Sequence, residues 1–135
     1  MPRVLIAAML ALSMIGGCKM SESMAPVPAK TDTLPLPSGV DASRLFDCAQ
    51  TSIDAFGKAN SDWLPVARKD IAAGVLESRD FAPANISGFR VRIVLPAGSN
   101  TATIELKGAG PYFMDLGVEQ AMRDLKSSIG RCLGG

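Results

Sequence analysis

Apolar positions recur along the chain with two different periods. From Asp41 onward, Leu45, Cys48, Ala49, Ser52, Ile53 and Phe56 are spaced by threes and fours, which puts one stripe on a helix. Asp41-Ala42-Ser43 supplies a start, with Asp41 or Ser43 as N-cap, and Gly57 offers a stop. A second such stripe follows Asp115: Leu116, Val118, Ala121, Met122, Leu125, Ile129 and Cys132, ending at the terminal glycines. Gly130 weakens its last turn, since glycine costs about 1 kcal/mol inside a helix. Between the helices the period falls to two. Phe89, Val91, Ile93 and Leu95 alternate with Arg90, Arg92 and Val94, and Ala102, Ile104 and Leu106 alternate with Thr101, Thr103, Glu105 and Lys107. A type II′ turn at Gly98-Ser99 sets Ile93 opposite Ile104, Val91 opposite Leu106 and Arg92 opposite Glu105, so both apolar sets share one face. The Arg92–Glu105 pair is expected to contribute about 0.2–1 kcal/mol.

Residues 63–81 carry two signals. Leu64, Ala67, Ile71 and Val75 have helical spacing, whereas Gly74 and the Pro83-Ala84-Asn85 stretch favour a strand over Val75–Arg79. With the strand, the pattern predicts an α+β domain: an N-terminal helix, a three-stranded antiparallel sheet and a C-terminal helix, both helices on the apolar face.

Ahead of the domain, one positive charge at Arg3 precedes Val4–Ile15, which is apolar apart from Ser13. Twelve helical residues span about 18 Å, short of the roughly 30 Å hydrocarbon core, so the segment fits a signal-peptide core better than a spanning helix. Ile15-Gly16-Gly17-Cys18 then resembles the lipobox of bacterial lipoproteins: an aliphatic residue, two small residues and a cysteine. The resemblance covers only the export segment. It implies cleavage after residue 17, a diacylglycerol thioether on Cys18 and an acyl chain such as palmitate on its freed amine. Together these make a stable membrane anchor, where one chain is marginal. In such lipoproteins Asp after the cysteine marks inner-membrane retention; Lys19 here implies the outer membrane, with the domain on the inner leaflet facing the periplasm.

Lys19–Val40 holds Pro26, Pro28, Pro35 and Pro37 without periodicity, and is expected to be an extended tether reaching about 70 Å, with Leu34 and Leu36 not counted on to dock. The division is therefore 1–17 signal peptide, 18–40 lipidated cysteine and tether, and 41–135 folded domain.

Composition removes several function classes. Among 135 residues there is no His, which excludes Ser-His and Cys-His nucleophile pairs and any His-ligated metal. A net charge of +1, falling to 13 basic against 13 acidic once residues 1–17 are gone, provides no nucleic-acid footprint. Three cysteines are too few for a Cys-only zinc site. With Cys18 acylated, Cys48 and Cys132 remain, one on each helical stripe, and in an exported protein they are expected to form a disulfide tying the helices together.

Candidate sites are sparse. Lys107–Phe113 joins the last strand to the last helix; its glycines either cradle an anion or serve a tight connection needing positive φ, and it lacks the ending of a phosphate-binding P-loop. The adjacent aromatics Tyr112 and Phe113 either cap the core or mark a contact, as does Trp63. Arg90 and Arg92, on the polar face of the hairpin, complete a candidate contact patch, otherwise a solvated face. The carboxylates are scattered, so no acid–base pair emerges and no catalytic residue, metal or other cofactor is expected. The reading that follows is a membrane-anchored envelope lipoprotein with a non-enzymatic interaction role toward an envelope protein. The alternative is a binder of a small molecule, peptide or lipid in a groove between helices and sheet. Cys18→Ala is expected to abolish incorporation of labelled acyl chains; a labelled mutant product overturns the anchor.

Overall fold

A computed structural model describes residues 27–134. The expected signal peptide, Cys18 and the first part of the expected tether lie outside the described residues. Five strands and two long helices follow one another: β1 (Ala29–Pro35), α1 (Ala42–Ala59), β2 (Val66–Asp70), β3 (Val75–Ser78), β4 (Gly88–Val94), β5 (Thr101–Ala109) and α2 (Val118–Gly134). The strands form one antiparallel sheet in the order β1-β5-β4-β3-β2, and both helices cover one face. No described helix is long and apolar enough to cross a membrane.

The α+β class and both helices agree with the apolar pattern, but the sheet has five strands where three were expected. Width explains this. Two helices side by side occupy about 20 Å. Three strands spaced about 4.8 Å apart cover only about 10 Å, whereas five cover about 19 Å. The edges therefore come from segments with weak apolar signals. β1 lies within the stretch assigned to the tether, so the folded unit begins by Ala29 rather than at Asp41. Its helix-facing positions are Lys30, Asp32 and Leu34: the two charges pair with Glu119 (3.2 Å) and Lys126 (2.8 Å) on α2, and Leu34 and Leu36 are buried. Its one proline, Pro35, is tolerated because an edge strand leaves half its N–H groups unused. β2, the other edge, is Val-Ala-Arg-Lys-Asp with a bulge between Val66 and Arg68, a charged edge that discourages pairing with another chain. β3 matches the strand favoured over the helical alternative within residues 63–81.

The hairpin register is as predicted: Ile93 faces Ile104, Val91 faces Leu106 and Arg92 faces Glu105. The turn differs. Ser99 N–H donates to Pro96 O (3.0 Å), so the four-residue turn is Pro96–Ser99, with Gly98 third and at φ +75°. Arg92 also chooses another partner, donating from Nε to Glu77 Oε2 at 2.7 Å across β3 rather than pairing with Glu105. α1 is capped by Asp41, which accepts from Arg44 N–H (2.9 Å), and runs two residues past Gly57. α2 begins at Val118, two residues into the stripe that follows Asp115, and the Asp115 carboxylate accepts from Gly117 and Val118 N–H just ahead of it, as a cap.

The core joins the helical stripes to the inner sheet face: Leu45, Phe46, Ile53, Leu125 and Ile129 against Leu76, Val91, Ile93, Ile104 and Leu106, all fully buried. Cys48 and Cys132 form the expected disulfide between α1 and α2. Beside it Arg44 Nη2 donates to Cys132 O (2.9 Å), and the Ser52 and Ser128 hydroxyls are bonded at 2.7 Å.

Two predictions follow from these contacts. The disulfide spans 84 positions, for which the chain-entropy relation estimates about 4–5 kcal/mol, so Cys48→Ala with Cys132→Ala should lower the denaturant midpoint sharply. Thiol titration of denatured, unreduced protein lacking Cys18 should find no free thiol. Separately, the Lys126 ammonium and Thr33 N–H hold the Asp32 carboxyl below its ordinary value of 3.8. A lowered folded-state pKa stabilises the fold above the unfolded value and loses that contribution as pH falls through the folded one. Asp32→Asn should therefore flatten acid unfolding below about pH 4, measured by β1 amide exchange.

Candidate functional site

All the chain's exits from the sheet fall at two ends. At one end lie the β3–β4 connection (residues 79–87), the β5–α2 connection (residues 110–117) and the start of β1. Neither connection carries charge over its central part: Phe81–Phe89 and Gly108–Met114 contain no Asp, Glu, Lys or Arg.

The β5–α2 connection is a short, tightly closed loop. Leu116 N–H donates back to Gly108 O (3.0 Å) and Gly110 N–H to Met114 O (2.7 Å). Within it a reverse turn over Pro111–Met114, closed by Met114 N–H donating to Pro111 O (3.2 Å), places Tyr112 at φ +55° and Phe113 at φ +61°. Two consecutive non-glycine residues in the left-handed region cost on the order of 1–3 kcal/mol each and persist only where flanking structure imposes them. The sequence signal pointed elsewhere. Gly108 and Gly110 are not at positive φ; they are glycines because a Cβ on Gly108 meets Val118 and Phe89 at 2.7–2.8 Å, and one on Gly110 meets Leu116 at 3.0 Å. Their N–H groups are also spent, Gly108 on Pro28 O (2.9 Å) and Gly110 on Met114 O, so the loop is not an anion cradle.

This closure projects Tyr112 completely into solvent (102% relative exposure), with Met114 beside it (60%) and Phe113 half-buried. The loop and residues 84–87 border a shallow groove of about 250 Å³, lined by Ala84, Ile86, Ala109, Pro111 and Phe113 among others. Trp63, by contrast, belongs to the core rim, its ring centroid 4.8 Å from Phe56 and 4.7 Å from Phe89.

Arg90 and Arg92 do not join this surface. Arg90, expected on a solvated face, is fully buried, because residues 79–87 fold back over the outer side of the sheet. Its Nη1 donates to Asp80 O (2.7 Å), Phe81 O (3.1 Å) and Pro83 O. Phe81, itself buried, contacts two cations: Arg92 and Lys107 each sit 4.3 Å from its ring centroid, and Lys107 Nζ donates to Phe81 O (2.9 Å). Burial lowers the pKa of both Arg90 and Lys107; Asp80 opposes the shift at Arg90, and the Arg90 charge adds to it at Lys107. Among the described residues Arg90 Nε and Nη2 have no hydrogen-bond partner. Sequence alternation placed Arg90 on the correct side of the sheet but held no sign of the strap that covers it.

The carboxylates are used singly. Asp41 and Asp115 cap helices, while Asp32, Asp47, Asp70, Glu77 and Glu119 each pair with a Lys or Arg. Among the described residues no group of three or more His, Cys, Asp or Glu is placed to hold a metal ion.

Arg90→Met keeps most of the side chain's volume but strips a donor from three backbone carbonyls. An expected cost of about 1–3 kcal/mol should accompany amide exchange that speeds up more across residues 79–87 than in β5. Equal protection of the strap in mutant and wild type would remove Arg90 from that role. Compared with known protein families, curated proteins and solved structures, the chain matches none.

Proposed function

We propose that this protein is a lipid-anchored envelope lipoprotein, held by Cys18 at the inner leaflet of the outer membrane and facing the periplasm, whose role is to make a contact rather than to catalyse a reaction. The observation that carries this reading is the Tyr112 loop. An aromatic side chain fully in solvent, on a backbone forced into the left-handed region at two successive residues and closed by two ladder hydrogen bonds, is a rigid projection. Strain of this kind clusters at binding and switch segments, and a preformed aromatic contact loses little entropy on docking. The dispersal of carboxylates into caps and single ion pairs supports a role without acid–base chemistry.

A binding groove between helices and sheet is the second reading. The cleft over Phe56, Trp63, Phe89 and Leu116, between the ends of α1 and α2, is where such a ligand fits. At about 230 Å³ it falls below the roughly 300–1,000 Å³ typical of small-molecule sites, whereas the groove between α1 and Trp63–Pro65, at about 350 Å³, lies at the lower end of that range.

A photo-reactive amino acid in place of Tyr112, irradiated in native envelopes, is expected to form a discrete adduct, whether to protein or to lipid. The same group in place of exposed Arg123 on α2 should form none. Absence of any adduct from position 112 overturns the contact role.

A further inference from the structure

β1 runs antiparallel to β5 with Ala29 opposite Lys107, and Pro28 O accepts from Gly108 N–H. The chain therefore enters the fold at the foot of the Tyr112 loop. Because β1 takes Ala29–Pro35, only residues 19–26 separate Cys18 from the first described residue, Val27. Even fully extended, that stretch reaches about 30 Å. β5, with nine residues, is itself about 30 Å long. A lipid on Cys18 thus holds the β1-entry end near the bilayer, and bringing the opposite end to the surface would use the whole tether along the side of the domain.

Among the described residues three large apolar side chains are conspicuously exposed: Ile71 (43%), Tyr112 (102%) and Met114 (60%). Two of them sit together at the entry end, on one of two adjacent connections whose central stretches carry no charge. The geometry points to the lipid bilayer as the partner of the Tyr112 loop: Tyr112 and Met114, with Pro111 and Ile86 beside them, enter the headgroup region of the membrane that carries the Cys18 anchor. This rests on the lipid-anchor reading above. Tyrosine suits the site because its ring is apolar and its hydroxyl remains among headgroups. A protein partner would meet the same loop only by entering the space between domain and membrane that the short tether restricts. The loop's contribution is orientation rather than retention, since several acyl chains already hold the protein on the surface.

The test uses the full lipidated chain in vesicles of phosphatidylethanolamine and phosphatidylglycerol doped with a doxyl-labelled, fluorescence-quenching phospholipid. Tyr112→Trp, Met114→Trp and Ile71→Trp are compared against the background of buried Trp63. Most of the added emission should be blue-shifted and quenched at positions 112 and 114, and little at 71. Flotation with the vesicles and acyl labelling, both lost in Cys18→Ala, report the anchor independently. Flotation without preferential quenching at 112 and 114 overturns the bilayer contact while leaving the anchor intact. Failure of the wild type to float or to take up label overturns the anchor itself, and the proposal with it. A blue shift at 112 in vesicle-free Cys18→Ala protein identifies a segment of this chain as the occupant and also overturns the bilayer contact.

Discussion

Two amphipathic helices lying side by side need about 20 Å of apolar floor, and much else in this fold follows from meeting that width. Three strands with good apolar alternation cannot supply it. The sheet therefore recruits β1 and β2, whose sequences bury little by themselves. β1 is held by its seven-position ladder with β5 and by buried Leu34 and Leu36, with the part-exposed Asp32–Lys126 and Lys30–Glu119 pairs adding a smaller contribution. Taking those residues into the sheet leaves a short connection toward Cys18, and so ties the direction of chain entry to the position of the β5–α2 loop.

The other face of the sheet is organised differently. Instead of a second layer of helices it has one strap, residues 79–87, closed over Arg90, Arg92 and Lys107. Burying a guanidinium costs several kcal/mol unless it is bonded, and here the bonds run to backbone carbonyls of a segment without regular structure. The arrangement ties an irregular connection to the sheet at one buried cation. It also separates the basic residues of the hairpin from the aromatic loop, although both features sit on the same pair of strands.

The helices, the hairpin register and the disulfide were legible because each rests on a local period or on counting: stripes at three and four, alternation at two, and two cysteines on facing stripes. β1 and β2 were not, because apolar inward positions such as Leu34 and Val66 are interrupted by charged ones satisfied by partners far along the chain, such as Lys30 by Glu119 and Lys69 by Asp47, and no local pattern encodes that. The turn at Pro96–Ser99 was misplaced by one residue, since Gly98 serves either geometry and the register is the same in both. In the candidate site, Tyr112 and Phe113 stood out as an aromatic pair, but the positive φ expected of a glycine falls on them instead, because Gly108 and Gly110 are needed for close packing against Phe89, Val118 and Leu116. Arg90 alternated correctly and was still assigned to solvent, since whether a sheet face is covered depends on a connection whose path the alternation does not describe.

The Cys48–Cys132 bond turns most of the domain into a covalent ring. β2, β3, β4, β5 and all the connections among them lie inside it, so a single peptide-bond break anywhere between residues 48 and 132 leaves one molecule with every strand attached. β1 and the first turns of α1 lie outside. The stretch from Cys18 to Cys48 is accordingly the one place where a single break separates a Cys18-bound lipid from the body of the protein, and only the noncovalent seam of β1 against β5 and α2 then resists their parting.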